Sequence, residues 1–207
     1  MEDKFNFDTW SKNYDKDVKN DKNIFLKYYN VLNFVVKISN VKKSNKVLDI
    51  GTGTGNLLLK FLKKGAQVIG LDPSKEMLKI ANKKVKDNKN AQLILIENPF
   101  LNIPFPKEYF NIVSSTYSFH HVEYNKKEIA IKEMLRVLKN NGILIIGDLM
   151  FKNKIEELYF LEKYDFFDKD EYYERIDELY EIFKKFKLSL KQKKFTNYTY
   201  IIWCRKS

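Results

Sequence analysis

Short apolar runs alternate along this chain with longer amphipathic ones, and that alternation is the first structural signal. Lys46–Ile50, Gln67–Leu71, Gln92–Ile96, Phe110–Ser115 and Ile143–Leu149 read as strands. Between them, apolar residues recur at helical spacing. Residues 55–64 end at Gly65, suited to a C′ position. Residues 73–87 place Met77, Leu78, Ala81 and Val85 on one face, and residues 126–139 stop at Asn140-Asn141-Gly142. Two more helices precede the first strand, over 6–20 (Phe7, Trp10, Tyr14, Val18) and 24–38. The stretch 98–109 carries Pro99, Pro104 and Pro106 and predicts an irregular connection.

Strands that alternate with helices imply βαβ units and a parallel sheet, with right-handed crossovers placing helices on both faces. The last third departs from this rhythm. Residues 151–186 are rich in Tyr, Phe, Glu and Lys and predict two helices, near 153–164 and 170–186, whose aromatic stripe either caps the sheet or covers a site. Residues 188–195 and 198–204 alternate like a terminal hairpin with Asn197 at its turn. The expected fold is therefore an α/β, Rossmann-like three-layer sandwich. Its sheet is mostly parallel and seven-stranded, with an antiparallel C-terminal hairpin strand. The simplest division is a single unit over 1–207, with N-terminal helices 6–38 and a lid-like insertion 151–186.

The chemistry gathers at the first two strands. Val47-Leu48-Asp49-Ile50 runs into Gly51-Thr52-Gly53-Thr54-Gly55, and the second strand ends at Asp72-Pro73. Parallel neighbours would aim Gly51, Gly53, Gly55 and Asp72 at one crevice outside the carboxyl ends of the strands, where open α/β sheets bind ligands. Glycine allows close backbone approach and positive φ. A carboxylate just past a strand can accept both hydroxyls of a ribose. The G-x-G-x-x-G dinucleotide fingerprint is not met, because Asn56 stands where its third glycine would be. Asp49 would repel a pyrophosphate and suit an ammonium group instead. An amino-acid nucleoside fits this set better than a dinucleotide does.

These residues resemble the class I S-adenosylmethionine-dependent methyltransferases. The resemblance continues through KEYFNIVSSTYSFHHV at 107–122 and EIAIKEMLRVLKNNGILIIGD at 128–148. The opening FDTWSKNYDKDV and the STYSFHHV run are similar to the small YrrT-like methyltransferases of Gram-positive bacteria. The resemblance implies S-adenosyl-L-methionine as cofactor and S-adenosyl-L-homocysteine as product. It implies that Gly51, Thr52 and Gly53 pack against the methionine and ribose, with Gly55 completing the turn. Asp49 would help hold the ammonium, Asp72-Pro73 would bind the ribose, Asn98-Pro99-Phe100 would flank the adenine, and Thr116 would meet the methionine amine. Pro99 stands where many relatives carry an acid for the adenine amine, and proline offers no side-chain acceptor. On the acceptor side the candidates are Tyr14, Tyr117, His120 and His121. The two histidines are the only ones in the chain and titrate near neutral pH. No metal ligand set is expected.

Composition narrows the partners. The formal charge is +11, yet only Arg136, Arg175 and Arg205 of the 38 basic residues are arginine. Specific phosphate and base readout leans on arginine forks, and the lysines are scattered among Asn and Glu. A solvated surface is the plainer reading, with no specific nucleic acid expected. The Asn/Asp-Pro-Pro-Tyr/Phe motif of base-amine methyltransferases is missing after the fourth strand, which reads Ser114-Ser115-Thr116-Tyr117. A small-molecule methyltransferase leads. An RNA methyltransferase and a cofactor-binding module without transfer activity stay open. Cys204 is the sole cysteine, and no run approaches a membrane span. A cytoplasmic monomer or homodimer without membrane association is expected.

Overall fold

A computed structural model describes residues 7–206. Residue 6, the expected start of the first helix, lies outside them. Helices α1 (Phe7–Lys19) and α2 (Tyr28–Ser39) lead into β1 (Lys46–Ile50), α3 (Asn56–Leu62), β2 (Gln67–Asp72), α4 (Lys75–Val85) and β3 (Ala91–Leu95). After the proline-rich connection come β4 (Phe110–Thr116), α5 (Lys127–Val137), the long β5 (Leu138–Phe151), α6 (Lys154–Lys163), the two-residue β6 (Glu174–Arg175), α7 (Ile176–Lys185), β7 (Lys191–Lys194) and β8 (Thr199–Arg205). The order across the main sheet is β3-β2-β1-β4-β5-β8-β7, with β6 beside β5. The first five strands are parallel, whereas β8 runs antiparallel to β5 and β7 antiparallel to β8.

The two-residue period of the strands splits the core in two. Val47, Ile112 and Ile145 face the side packed by Val31, Leu32 and Val35 of α2 and by Leu58 and Phe61 of α3. Leu48, Val113, Leu144 and Ile146 face the side packed by Ile131 and Met134 of α5 and by Leu179 and Phe183 of α7. Strands buried on both faces read as the near-continuous apolar runs seen in the sequence. Gly65 closes the chain after α3 at φ +81°, and Met77, Leu78, Ala81 and Val85 are the buried face of α4 as expected. Asn111 is structural: its side-chain carbonyl accepts from the Lys46 N–H at 3.0 Å and ties β4 to the start of β1. Cys204 is buried in β8.

Four boundaries differ from expectation. The predicted helix 24–38 breaks into a short 3₁₀ turn at Asn23–Phe25 and then α2, because Lys27 takes a left-handed conformation (φ +63°) between them. Helix α5 ends at Val137, and the strand begins at once, with a register irregularity between Phe110 and Ile112 where β4 meets it. The predicted helix 170–186 is helical only from Ile176. Its first part pairs as β6 with Met150 and Phe151, which adds a strand that the aromatic-rich pattern hid. The hairpin strand predicted over 188–195 is regular only at Lys191–Lys194.

The insertion divides into two parts. Helix α7 caps the sheet through buried Ile176, Leu179 and Phe183. The segment between α6 and β6 instead packs Phe167 and Tyr173 against Phe151 and contributes Phe166, Asp168, Glu171 and Tyr173 to the wall of a cavity.

Candidate active site

The sheet order reverses between β1 and β4, so the loops leaving these two neighbours diverge into crossovers on opposite sides, and a crevice opens at their carboxyl ends. A cavity of about 740 Å³ lies there. Its floor comes from Gly51, Gly53, Asp72 and Pro73, one side from Asn98, Pro99 and Phe100, and the other from Thr116, Tyr117, His120 and His121. Helix α1 roofs it with Phe7, Asp8, Trp10 and Tyr14.

The glycine loop is built by backbone bonds. The N–H groups of Gly51 and Thr52 both donate to the Leu71 carbonyl, at 2.8 and 3.0 Å, tying the turn to the end of β2. Gly51 sits at φ +68°, and a Cβ on it would lie 1.9 Å from Ser118 Oγ, so only glycine lets the β1 and β4 loops touch. Gly53 is also left-handed (φ +54°), but a Cβ there would meet nothing within 4 Å. Its open side presents bare backbone at the cavity. The Gly53 N–H donates to Asp72 Oδ2 at 2.7 Å and the Ser74 N–H to Asp72 Oδ1 at 2.9 Å. Each carboxylate oxygen keeps a further lone pair for a ligand hydroxyl. Burial pushes the Asp72 carboxyl up to about 6, against the pull of those two N–H bonds.

Three predicted cofactor residues do not reach the wall. Asp49 is 1% exposed, its carboxylate accepting from Thr52 Oγ1 at 2.9 Å and Ser114 Oγ at 3.1 Å. Its central place between β2 and β4 puts it beneath the turn, and burial raises its carboxyl to about 7. Thr52 is spent on that bond. Gly55, at φ +81°, precedes α3 and packs close to Ala81 of α4. These three shape the loop from behind.

The second half of the site centres on Asp148, a residue that sequence reasoning passed over. It is fully buried at the end of β5. One oxygen accepts from the backbone N–H groups of Ser118, Phe119 and His120, at 3.2, 2.7 and 3.3 Å. The other lies 2.6 Å from His120 Nδ1 and also accepts from the Leu149 N–H at 2.7 Å. Burial opposes charge on both side chains, yet each holds the other ionised: His120 is raised and Asp148 lowered from their ordinary values. The signal was in the sequence, since Ile145-Ile146-Gly147-Asp148 repeats the apolar-strand-to-acid pattern that singled out Asp49 and Asp72.

His121 is different. Its Nδ1 lies 2.8 Å from Glu171 Oε2, while burial and then the neighbouring His120 hold its pKa below the usual value. A neutral ring that donates through Nδ1 keeps its lone pair on Nε2. His120, His121 and Glu171 bring ligand-capable atoms within 4.8 Å of one another. Within this trio His121 and Glu171 are bonded to each other, whereas His120 bonds to Asp148. Glu171 was also missed, because it falls in the stretch read as helix.

Tyr14 and Tyr117 both line the cavity. Burial keeps each phenol well above its ordinary pKa, with Tyr28 adding to the effect, so both are donors rather than bases. The Tyr117 hydroxyl is buried without a hydrogen-bond partner among the described residues, and its backbone is held at φ +51°, an uncommon conformation for a bulky residue.

The loop after β4 and the insertion are pinned together. Lys127 pairs with Glu174 in a buried contact and donates to the Tyr172 carbonyl at 2.7 Å. The Tyr124 hydroxyl donates to Glu157 at 2.7 Å, and Glu157 in turn pairs with Arg175. Helix α1 is latched from the other direction. Ser74 Oγ donates to Asp8 at 2.6 Å, and Asp15 accepts from Thr54 Oγ1 at 2.7 Å and pairs with Lys84 at 2.7 Å.

Comparison with known proteins agrees with this geometry. Residues 48–146, from β1 into β5, match the methyltransferase domain family. An uncharacterized methyltransferase of Alkaliphilus oremlandii is 34% identical over 97% of this chain and 95% of its own length. Another, from Oceanobacillus iheyensis, is 32% identical over 97% and 95%. Among solved structures, a putative S-adenosyl-L-methionine-dependent methyltransferase of Methanococcus maripaludis superposes with a TM-score of 0.71 at 22% identity, over 100% of this chain and 97% of that one. A SAM-dependent methyltransferase of Aquifex aeolicus gives 0.66 at 22% identity, over 84% and 88%. Those two share the fold. With the full-length relatives and the matched domain, they place the protein: this chain belongs to the class I S-adenosylmethionine-dependent methyltransferases.

Proposed function

We infer that the enzyme methylates a small molecule by direct displacement within the cavity between the glycine loop and the histidine pair. The observation that carries the reading is the sign of charge inside. Asp8, Asp72, Glu97, Glu123, Asp168 and Glu171 line the cavity, and Lys126 is the one ammonium among its described lining residues. The chain as a whole carries +11. A polyanion would be drawn to the outer surface and repelled by the interior. This favours a small acceptor over RNA.

The residues suit S-adenosylmethionine. Gly53 offers bare backbone and Asp72 offers open acceptor positions for ribose hydroxyls. Asn98, buried Pro99 and Phe100 make an apolar slot with backbone groups for adenine. The bound cofactor supplies a methyl group already activated by a sulfonium charge. The chain's part is then to align the acceptor, exclude water and manage one proton. Helix α1 and the insertion close the cavity from two sides. His121, neutral and oriented by Glu171, can accept a proton through Nε2. Tyr117 can donate a hydrogen bond to the acceptor, whereas the Tyr14 hydroxyl is bonded to Tyr28.

Isothermal titration with S-adenosylhomocysteine tests the cofactor site, with saturable binding expected that Asp72→Ala weakens. Absence of binding, or an unchanged affinity in that variant, would count against the assignment. Methyl transfer to RNA fragments in preference to small thiols, amines and hydroxyl compounds would favour the nucleic-acid reading.

A further inference from the structure

The wall around the two histidines has its own electrostatic character. Glu171 and Asp168 reach it from the insertion, and Glu123 from the loop after β4. Lys126 is held by Glu123 at 2.7 Å. The charge on His120 is matched by Asp148, to which it is bonded. His121 donates to Glu171 through Nδ1 at 2.8 Å, and burial and the neighbouring His120 both lower its pKa. Among the described residues, neither Glu171 nor Asp168 is paired with a lysine or an arginine.

Aromatic rings frame the same place. Phe7 meets His121 edge-on with centroids 4.8 Å apart, and Tyr173 stacks on His120 at 5.8 Å. Partly buried carboxylates flanked by aromatic faces bind cations by charge-assisted hydrogen bonds and cation–π attraction. They reject carboxylates and phosphates by like-charge repulsion and desolvation.

Building on the methyl-transfer reading, we propose that the acceptor site selects a small organic cation, an amine on an apolar or aromatic body, with its ammonium directed at Glu171 and Asp168. The selection lies in chain elements outside the glycine loop: the insertion carries the charge and α1 carries part of the aromatic wall.

Three probes with one body and different heads test this. The protein saturated with S-adenosylhomocysteine is titrated with 2-phenylethylamine, 2-phenylethanol and phenylacetate. The amine binds about tenfold or more tighter than the alcohol, the scale of one partly buried charge-assisted bond. Phenylacetate binds weakest. Glu171→Gln removes the preference for the amine while S-adenosylhomocysteine still binds, and Asp168→Asn, at the exposed rim, reduces it less. The proposal is overturned if phenylacetate binds as well as the amine, or if the preference survives in Glu171→Gln. It is also overturned if the amine fails to bind at about 10 mM, which fills even millimolar sites. Failure of S-adenosylhomocysteine itself to bind is seen before any probe is added, and that result strikes the cofactor assignment instead.

Discussion

The Nδ1 atom of His120 lies 2.6 Å from Oδ1 of Asp148, and the other oxygen of that carboxylate holds the backbone of the loop that carries both histidines. One buried acid thus fixes a side chain and the turn beneath it. Asp148→Asn keeps the shape but removes the charge that His120 and three N–H groups share. Hydrogen bonds to charged groups contribute roughly 1.5–3 kcal/mol, and a buried charge left unpaired costs about 3–5 kcal/mol. The variant should lose about 2–4 kcal/mol of stability in urea unfolding, on that same scale. A loss below about 0.5 kcal/mol, the size of a surface change, would show that the loop is held by other bonds.

The glycine loop gives a paired test. Gly51→Ala would drive a methyl into Ser118 Oγ at a left-handed φ, so it should destabilise the fold and disturb the histidine loop. Gly53→Ala has open space and suffers only the φ strain, about 1–2 kcal/mol. It should stay folded and yet bind S-adenosylhomocysteine at least about tenfold more weakly, because the methyl occupies ligand space. Thermal unfolding and calorimetry on both variants separate the two effects. Wild-type affinity in Gly53→Ala would move the ligand away from this turn.

Acid should compete with the cofactor. The Asp72 carboxyl sits at about 6 because of burial, and ribose hydroxyls need its ionised form. Affinity for S-adenosylhomocysteine should be full above that value and fall as pH drops through it. The Asp72→Asn variant should be weaker throughout and lose this dependence. A pH profile that is flat in both proteins would place the ribose elsewhere.

Stability of the unliganded protein should run the opposite way. A carboxyl whose folded pKa is raised stabilises the fold below its unfolded value near 4, and that contribution is lost as pH rises through the folded value. Asp49 and Glu174, both at about 7, and Asp72 all have this sign, with burial the first cause in each. His120, raised by Asp148 against its own burial, loses its contribution above about 6.5. The melting temperature should therefore fall between about pH 5 and about pH 7.5. A rise over that interval would mean that these acids are not desolvated as described.

How much of this was written in the chain follows from the range of the forces involved. The strand and helix pattern is local, so the α/β fold, the succession of strands along the chain to β5 and the positions of Gly51, Gly53 and Asp72 at strand ends were legible, while the order across the sheet was not. A carboxylate just before the glycine turn suits an ammonium, which is why the sequence points to Asp49, but register against Gly70 and Ser114 buries its side chain beneath the turn. Glu171 contacts His121 across 50 residues, and no local period reports such a pairing. The β6 segment was hidden for the same reason: two residues gain strand geometry only because Met150 and Phe151 offer an edge.

Removing His121 should separate binding from turnover. His121→Ala should leave S-adenosylhomocysteine affinity within about twofold and lower methyl transfer about 10²-fold or more, the range for losing a positioned proton acceptor. Equal turnover would take this ring out of the reaction.

Phe7, Asp8, Trp10 and Tyr14 all hang from one short helix whose hold on α4 and the glycine turn includes side-chain bonds from Asp8 and Asp15. These four lining residues ride on a single rod, so a change at Asp15, whose bonds are made outside the chamber lining, would be felt at every one of them.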